Sequence, residues 1–469
     1  MNNVDIPAGI RFGVVRGISY GLFGPPDPIA EPIRELGAGV IRCYLYWSQL
    51  EPEPGHYVWD ALDTLLAEFP GNEEIWITVS SASRWATRRS TDFLPPSPAL
   101  DPEAFGELVR RLVARARGRV TYWQCDNEPS IPILWAGTAA EYAGQLKVFA
   151  AAVRESDPSA LVVMGGQPPG GPREGTFEYL TEHSRDDFDV FDIHLYGDPY
   201  EIPARVAAAR ALMAAHGYQK PVVAGEYNGP LVMQFPEVFT VLGPQMAEFG
   251  TMMNGQDEAW VADTRDADKP TPEHDAMVAL YDRMPTLPPQ LQMFLADCPE
   301  EYEQLRHRQN CREIVMRNVL TLATGVRRTL CWNLAPETSG MDDRYAIMHL
   351  LFDKFKLMDY ANGGISHRYP AADTLALITG LLHDAHEVVR RELPDQPDLY
   401  VFDITRDRGP LVVAWARNAD EYAPAVDYHH PWPAPAAQAV DAYGKPVTVT
   451  VRDGRVHIPI SPTPILLTA

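Results

Sequence analysis

The chain has little positive charge and no long apolar segment. Its 469 residues include 40 lysines and arginines against 63 aspartates and glutamates, which gives a formal net charge of −23. Nucleic acids and anionic membrane surfaces attract proteins with a cationic face, so both are poor partners for this chain. No segment approaches the roughly 20 consecutive apolar residues that a membrane span needs. The composition is therefore more compatible with a neutral ligand.

Cysteine is also scarce, with five residues in the whole chain. Cys43, Cys125 and Cys331 fall in apolar segments that are typical of core strands. A buried, reduced thiol is the expected state for each of them. The N-terminal segment MNNVDIPAGIRFG has neither the basic region nor the apolar core of a secretory signal. Both observations favour a cytoplasmic location.

Strand-like and helix-like segments alternate along the first three-quarters of the chain. Helices are predicted over 101–118, 138–158 and 203–217, the first of them from an Asp-Pro start to a glycine stop. Eight strands, each followed by a helix, predict an α/β fold of the (β/α)8 TIM-barrel type; an open, doubly wound sheet is the alternative. The predicted strands are 11–19, 39–47, 74–81, 120–128, 160–166, 190–196, 221–228 and 329–334.

Two segments depart from this alternation. Residues 230–300, after the seventh strand, form an insertion that is long for a loop. We expect it to be a lid or subsite wall, with a solvated decoration as the alternative. A last helix is predicted over 372–393, and short strands with Gly, Asp and Pro turns then predict a small β-sandwich. The predicted domains are a barrel over 1–392 and a sandwich over 393–469.

Two histidine pairs follow the insertion. His383 and His386 fall on the predicted last helix, where their spacing resembles that of metal ligands, and His429 and His430 fall in a predicted Pro-rich loop. No third ligand lies near the first pair in the sequence. We therefore expect both pairs to be solvated rather than metal-binding.

Polar side chains collect where the predicted barrel strands end, and catalytic groups of such barrels come from these carboxyl ends. Successive side chains of a strand point to opposite faces. In the sixth strand Asp192, His194 and Tyr196 share one face, and three apolar residues share the other. The polar set should line the barrel axis. The same alternation points Arg42 and Tyr44 of the second strand inward.

An inward-facing arginine needs an acidic partner, because an isolated buried charge is costly. Two partners are open for Arg42. Asp126, on the same face as Glu128 and one layer below it, would make a structural pair. Glu226 would instead make a pair that keeps a site carboxylate ionised. We favour Glu226, because arginines commonly perturb active-site carboxylates in this way.

Glu128 and Glu226 end the inward-facing runs of the fourth and seventh strands. Two facing carboxyl groups suit hydrolysis of a glycosidic bond, since one can protonate the leaving oxygen while the other attacks or activates water. Either glutamate alone could instead cap a helix. Pro129 is expected to hold Glu128 in an extended conformation. Alternation is expected to point Asn127 away from Glu128.

These residues resemble clan A of the retaining glycoside hydrolases, and family 39 most of all. Asn-Glu-Pro at 127–129 is similar to the strand-4 motif of that clan, and AGEYN at 224–228 resembles its strand-7 nucleophile segment. Cys125 and Asp126 stand where the family more often has other residues. The other segments that are similar, in strands 6, 2 and 8, are DVFDIHLYG (189–197), YWSQLEPEPGHYVWDALDTLL (46–66) and CWNL (331–334).

The resemblance implies roles for individual residues. Glu128 would be the general acid/base and Glu226 the nucleophile of a double displacement, with carboxyl groups about 5–5.5 Å apart. It further implies that Asn127 binds the sugar 2-hydroxyl, that Tyr196 bonds the nucleophile and that no metal or cofactor is required. Trp332 would floor the first sugar subsite. The predicted substrate-binding residues are Arg42, Asn127, His194, Tyr196 and Trp332.

Three functions are compatible with this sequence. The first is an exo-acting, β-xylosidase-like retaining β-glycosidase that acts on small oligosaccharides or glycosides. The second is a transglycosidase or endo-glycosidase that uses the same two glutamates. The third is a non-catalytic, carbohydrate-binding barrel, against which the presence of both glutamates argues. The sugar, the linkage and the oligomeric state stay open.

Overall fold

The computed structural model describes residues 5–243, 272–335, 344–345, 350, 353–418, 420 and 422–469. Eight parallel strands form its first sheet: β1 Arg11–Val15, β2 Val40–Tyr46, β3 Glu74–Ser80, β4 Tyr122–Cys125, β5 Leu161–Val163, β6 Phe191–His194, β7 Val222–Tyr227 and β8 Arg328–Trp332. Their order is β5-β4-β3-β2-β1-β8-β7-β6. Backbone hydrogen bonds from Met164 N–H to Val190 and from His194 N–H to Gln167 join the two outer strands. The predicted barrel is confirmed.

Helices surround this sheet, and two of the described ones begin at side-chain caps that the sequence already suggests. Asp101 accepts a hydrogen bond from the N–H of Glu103, and Thr138 and Glu141 form a reciprocal capping box. Such caps satisfy N–H groups that have no partner inside a helix. Among the described helices, none is both long and apolar enough to span a bilayer. The barrel helices are Ala30–Glu35, Trp47–Leu50, Asp60–Glu68, Pro102–Arg115, Ala139–Ser156, Thr176–His183, Ile202–Ala215 and Glu300–Ala323.

The side chains of the barrel strands divide between two buried layers. Phe191, Ile193 and Leu195 pack in the large layer between sheet and helices. Asp192 and His194, fully buried as well, point to the barrel axis, where they meet Arg42. The alternation predicted for the sixth strand is confirmed. The interior layer also holds apolar side chains from other strands, among them Val40, Trp76, Tyr122, Val163, Val223 and Leu330.

The insertion after β7 builds a small apolar core of its own in its described part. It contains the helices Pro236–Val241, Pro272–Asp282 and Pro289–Gln292 and the 3-10 turns Val232–Gln234 and Met284–Thr286. Val238, Leu280, Leu291 and Phe294 are buried together there. Residues 244–271 of the insertion lie outside the described residues. Its role as a lid or subsite wall stays a prediction.

Beyond β8 the described chain forms a hairpin, a last helix that packs on the barrel helix Glu300–Ala323, and two antiparallel sheets. The hairpin strands are β9 Met358–Ala361 and β10 Gly364–Arg368, and the helix is Pro370–Leu382. One sheet contains β11 Ala385–Arg390, β12 Leu399–Arg406, β13 Leu411–Ala416, β15 Gln438–Asp441 and β18 Ile465–Thr468; the other contains β14 Val426–Pro431, β16 Thr450–Arg452 and β17 Arg455–Ile460. One buried cluster joins Val401 and Val412 of the first sheet to Val456 and Ile458 of the second. The predicted β-sandwich is confirmed.

The prediction of a helix over 372–393 is wrong for the second half of that range. It ends at Leu382, and β11 follows as a strand that pairs with β12. A register shift between Ala385 and Glu387 spaces the buried residues Ala385 and Val388 three positions apart. This spacing imitates the period of a helix, because a bulge adds one residue to the strand's period of two.

The two histidine pairs behave differently. Both residues of the first pair are exposed, as predicted, and Nε2 of His386 lies 2.7 Å from Asp407. His429 and His430 lie in β14 and not in a loop. His430 is buried with Nε2 3.0 Å from Asp403. The prediction of a solvated second pair is therefore wrong for His430, because β14 packs that side chain inward.

Candidate functional site

Two glutamates face one histidine at the carboxyl end of the barrel. Glu128 follows β4, Glu226 lies in β7, and His194 is the last residue of β6. The Nδ1 atom of His194 lies 2.5 Å from Oε1 of Glu128 and 3.4 Å from Oε2 of Glu226. One oxygen of each glutamate and one ring nitrogen lie within 4.8 Å of one another. The fold therefore brings both predicted glutamates into one site.

Arg42 is fully buried beneath this site. Its Nη1 atom lies 3.0 Å from Oε1 of Glu226 and 3.7 Å from Oδ2 of Asp192. The contact with Glu226 confirms the favoured partner of Arg42. Four further hydrogen bonds hold the guanidinium: Nε donates to Thr78 Oγ1 (3.0 Å), Nη1 to the carbonyl of Gly225 (3.2 Å), and Nη2 to Tyr44 Oη (2.8 Å) and to Asn127 Oδ1 (2.8 Å).

Glu226 receives hydrogen bonds at both carboxylate oxygens. The hydroxyl of Tyr44 donates to Oε1 at 2.9 Å, and the hydroxyl of Tyr196 donates to Oε2 at 2.8 Å. Burial raises the pKa of both tyrosines well above their usual value, so both hydroxyls keep their protons. Together with Arg42 they form an environment that stabilises an ionised carboxylate.

His194 is a cation held among three carboxyl groups. Burial alone would lower its pKa, but Glu226, Asp192 and Glu128 together raise the pKa of His194 to about 10. For Asp192 burial would raise the pKa, yet the charges of His194 and Arg42 bring it below its usual value. The site therefore contains a charged imidazolium and a charged guanidinium beside ionised Asp192.

Glu128 differs from Glu226 in its environment. Burial raises the pKa of Glu128 above its usual value; the charge of His194 opposes this effect and that of Glu226 adds to it. Two cations, Arg42 and His194, balance two carboxylates, Asp192 and Glu226, so the cluster is neutral when Glu128 carries a proton. The two carboxyl groups thus lie in unequal environments: Glu226 receives donors at both oxygens, whereas burial disfavours the charged form of Glu128.

The backbone around Asn127 departs from regular alternation. β4 ends at Cys125, and Asp126 and Glu128 then have positive φ angles of 49° and 40°. The expectation that Pro129 holds Glu128 extended is therefore wrong. The expectation that Asn127 points away from the site is also wrong, since its Oδ1 accepts from Arg42. Two left-handed residues break the period of two on which both expectations depended.

The alternative partner of Arg42 lies elsewhere. The carboxylate of Asp126 accepts hydrogen bonds from Ser81 and from Nε2 of Gln145, on the side of the barrel helices. A structural pair between Arg42 and Asp126 is therefore excluded by the position of Asp126.

Trp332 ends β8 and belongs to the interior cluster that also contains Tyr44 and Tyr196. Its side chain is buried, with 7% of its surface exposed. The structure thus gathers all seven predicted site residues at the same end of the barrel. What each one does to a substrate stays a prediction.

The structure adds to the site two residues to which sequence reasoning gave no role. They are Tyr44, on Glu226, and Asp192, whose Oδ2 lies 3.3 Å from Nε2 of His194. Alternation had placed both side chains inward, and that orientation was the available indication. Glycine makes room for the cluster, since a Cβ atom at Gly166 would lie 2.0 Å from Nε2 of His194.

Glu128, His194 and Glu226 are also side chains of the types that bind metal ions. A ligating histidine must be neutral, whereas the carboxyl groups around His194 favour its charged form. Arg42 places a second positive charge 3.0 Å from Glu226. The arrangement therefore suits proton transfer and carboxylate chemistry better than it suits a metal cation.

Several solved structures that align over nearly the whole chain are glycoside hydrolases. A family 39 glycoside hydrolase from the gut symbiont Bacteroides cellulosilyticus WH2 aligns with a TM-score of 0.62 at 14% identity, covering 98% of this chain and 80% of that chain. A monomeric β-xylosidase from Caulobacter crescentus CB15 aligns at 0.56 and 14%, covering 98% and 97%. The family 30 subfamily 8 xylanase Xyn30A from Clostridium acetobutylicum aligns at 0.52 and 10%, covering 98% and 96%.

At these identities the similarity establishes the fold: a (β/α)8 barrel followed by a β-sandwich. The resemblance to clan A, and to family 39 above all, is confirmed at that level. The sequence matches no protein-family model and no curated protein.

Proposed function

We propose that the protein is a retaining glycoside hydrolase that cleaves β-glycosidic bonds. The observation that carries the proposal is the unequal environment of two neighbouring carboxyl groups. Glu226 receives hydrogen bonds from Tyr44 and Tyr196 and an ion pair from Arg42. The pKa of Glu128 is raised by burial. Cleavage of a glycosidic bond requires one ionised and one protonated carboxyl group.

In the first step Glu226 attacks the anomeric carbon while Glu128 gives its proton to the leaving oxygen. One carbon–oxygen bond forms to Glu226 as the bond to the leaving group breaks. The Nδ1–H group of His194 bonds Oε1 of Glu128, which leaves Oε2 to carry the acidic proton. In the second step Glu128 takes a proton from water, and the water oxygen displaces Glu226.

The short separation of the two glutamates supports a double displacement with retained configuration. Their nearest ligand atoms lie within 4.8 Å of each other. Retaining enzymes hold the two carboxyl groups about 5–5.5 Å apart, whereas inverting enzymes need about 6.5–9.5 Å to admit a water molecule.

The proposed sugar contacts follow from how the neighbouring side chains are held. Arg42 binds Oδ1 of Asn127, so the amide NH2 group of Asn127 is directed elsewhere and can donate to the sugar 2-hydroxyl. Trp332, at the end of β8, would lie beneath the ring of the first sugar. Its apolar face can cover the sugar's C–H groups.

We further propose exo action on small oligosaccharides or glycosides, of the kind a cytoplasmic enzyme would meet. The side chains of Glu128 and Glu226 are only 13% and 5% exposed, which suits a deep pocket that admits a chain end. Leu231, at the start of the 230–300 insertion, packs on the interior cluster, which supports the insertion as a subsite wall. Neighbours described as β-xylosidase and xylanase make a xyloside the first substrate to test.

A panel of nitrophenyl α- and β-glycosides tests the proposal with three proteins beside the wild type. Glu226→Gln and Glu128→Gln change the proposed catalytic groups. Glu303→Gln is the matched control, because Glu303 is a partly buried glutamate paired with Arg306 and Lys354 outside the site.

We expect hydrolysis of one or a few β-glycosides, abolished in Glu226→Gln and retained in the control. Activity that survives in Glu226→Gln would refute its assignment as nucleophile. Release of a disaccharide or longer product from a polymer would instead indicate the endo-glycosidase. Binding of sugars without cleavage of any glycoside would indicate the non-catalytic barrel.

A further inference from the structure

Asp126, one of the two residues that stand before Asn127 and Glu128 where family 39 more often has others, has a distinct set of contacts. Its Oδ1 accepts from the N–H of Ser81 at 2.8 Å and lies 3.1 Å from Ser81 Oγ. Its Oδ2 accepts from Ser81 Oγ at 3.0 Å and from Nε2 of Gln145 at 3.0 Å. The carboxylate thus ties the end of β4 to the residue after β3 and to the helix Ala139–Ser156.

This carboxylate is fully buried and held by neutral donors. Asp126 accepts hydrogen bonds from Ser81, Gln145 and Cys125, and none of these donors in the described part of the chain is cationic. Burial raises its pKa to about 7. Burying such a group is costly. An asparagine, which has a single acceptor atom, would present its NH2 group to one of the donors, so the position requires both oxygens of a carboxylate.

The backbone at this position explains what the contacts hold in place. Asp126 has a φ of 49°, and Glu128 has a φ of 40°. Aspartate is among the few residues that tolerate the left-handed region, though two such residues within three positions make a strained turn. The turn directs Asp126 outward and both Asn127 and Glu128 inward, where they meet Arg42 and His194. An extended chain would face only every second side chain inward.

We propose that Asp126 is a positioning residue that fixes the left-handed turn and thereby aims Glu128 at the leaving group. Asp126 lies two positions before the proposed acid/base Glu128 and does not touch the substrate. The proposal rests on the proposed function, because the role of Asp126 is exerted through the proton that Glu128 transfers.

The test compares kcat/KM of Asp126→Asn and wild type for aryl β-glycosides with leaving groups from 2,4-dinitrophenol to 4-methoxyphenol. Good leaving groups need no proton, so a misplaced acid slows only the poor ones. We expect a loss of about 100-fold for the poorest leaving group and less than about threefold for dinitrophenol. Glu74→Gln is the matched control, since Glu74 is a buried, hydrogen-bonded acid at the opposite end of β3.

An equal loss for all leaving groups, or no loss, would overturn the role of Asp126. If Asp126→Asn does not fold, Ser81→Ala is the second variant, because it removes only the hydroxyl contacts. We expect its loss of kcat/KM to depend on the leaving group in the same way, but to be smaller. A control variant with the same dependence would also overturn the proposal. If the wild type cleaves no aryl glycoside, the proposed function itself fails. If the wild type cleaves them, the comparison of variants tests the role of Asp126 alone.

Discussion

The buried pair of Arg42 and Glu226 gives a prediction about stability that is independent of any substrate. Replacing Arg42 by methionine keeps most of the volume but leaves Glu226 and Asp192 with His194 as the only cation that pairs with them among the described residues. Breaking a buried ion pair by removing one partner lowers the free energy of unfolding by about 3–5 kcal/mol. In a Glu226→Gln background one negative charge is already gone, so the charges of Asp192 and His194 balance.

Arg42→Met should therefore lower the free energy of unfolding by about 1–3 kcal/mol less in the Glu226→Gln protein than in the wild type. Urea unfolding followed by tryptophan fluorescence measures it, since Trp76 lies with its ring 5.0 Å from the Arg42 guanidinium. Glu303→Gln replaces Glu226→Gln in the control cycle. The changes in the free energy of unfolding caused by Glu303→Gln and Arg42→Met should be additive. Additivity within about 0.5 kcal/mol for Arg42 and Glu226 would refute the claim that their charges stabilise each other.

Three further predictions concern residues around the pair. The pKa of His194 is raised from 6.5 to about 10, so its contribution to stability is complete below pH 6.5 and is lost as the pH rises towards 10; thermal melts across that range should show a slope that His194→Gln reduces. Gly166→Ala should lower kcat/KM about tenfold or more, because the new Cβ atom would displace the His194 ring, whereas Gly144→Ala, where a Cβ atom meets nothing within 4 Å, should leave it unchanged. The Ser80 hydroxyl is buried without a hydrogen-bond partner in the described part of the chain and lines a small pocket beside Asn127; Ser80→Ala should leave the melting temperature equal or higher while KM rises about threefold or more, and an unchanged KM would count against substrate binding there.

The barrel could be predicted because segments with the period of a strand and segments with the period of a helix alternate eight times. The inward-facing site residues could be predicted where a strand keeps its alternation to its end. β2 and β6 are of this kind, and they placed Arg42, His194 and Tyr196 correctly. β7 brings Glu226 inward as predicted, although its register shifts between Val223 and Glu226. These side chains come from separate strands and meet because the carboxyl ends of parallel barrel strands lie at the same end of the barrel.

Prediction failed where the backbone leaves the regular period. Asn127 points inward because Asp126 turns in the left-handed region, which a pattern of apolar and polar letters does not reveal. The helix predicted over the residues of β11 was wrong for the same reason, because the bulge gives this strand the spacing of a helix. The contacts of Asp126 with Ser81 and Gln145 depend on the fold as a whole, so the sequence alone could not indicate them.

Trapping of the glycosyl-enzyme intermediate is the most direct test of the central claim, that Glu226 is the nucleophile of a retaining reaction. The protein would be treated with 2,4-dinitrophenyl 2-deoxy-2-fluoro-β-glycosides of the xylo, gluco, galacto and manno series, digested and examined by mass spectrometry. We predict one added fluoroglycosyl group on the peptide that contains Glu226, and none in Glu226→Gln. A label on Glu128, or hydrolysis that releases the opposite anomer without any adduct, would contradict the account.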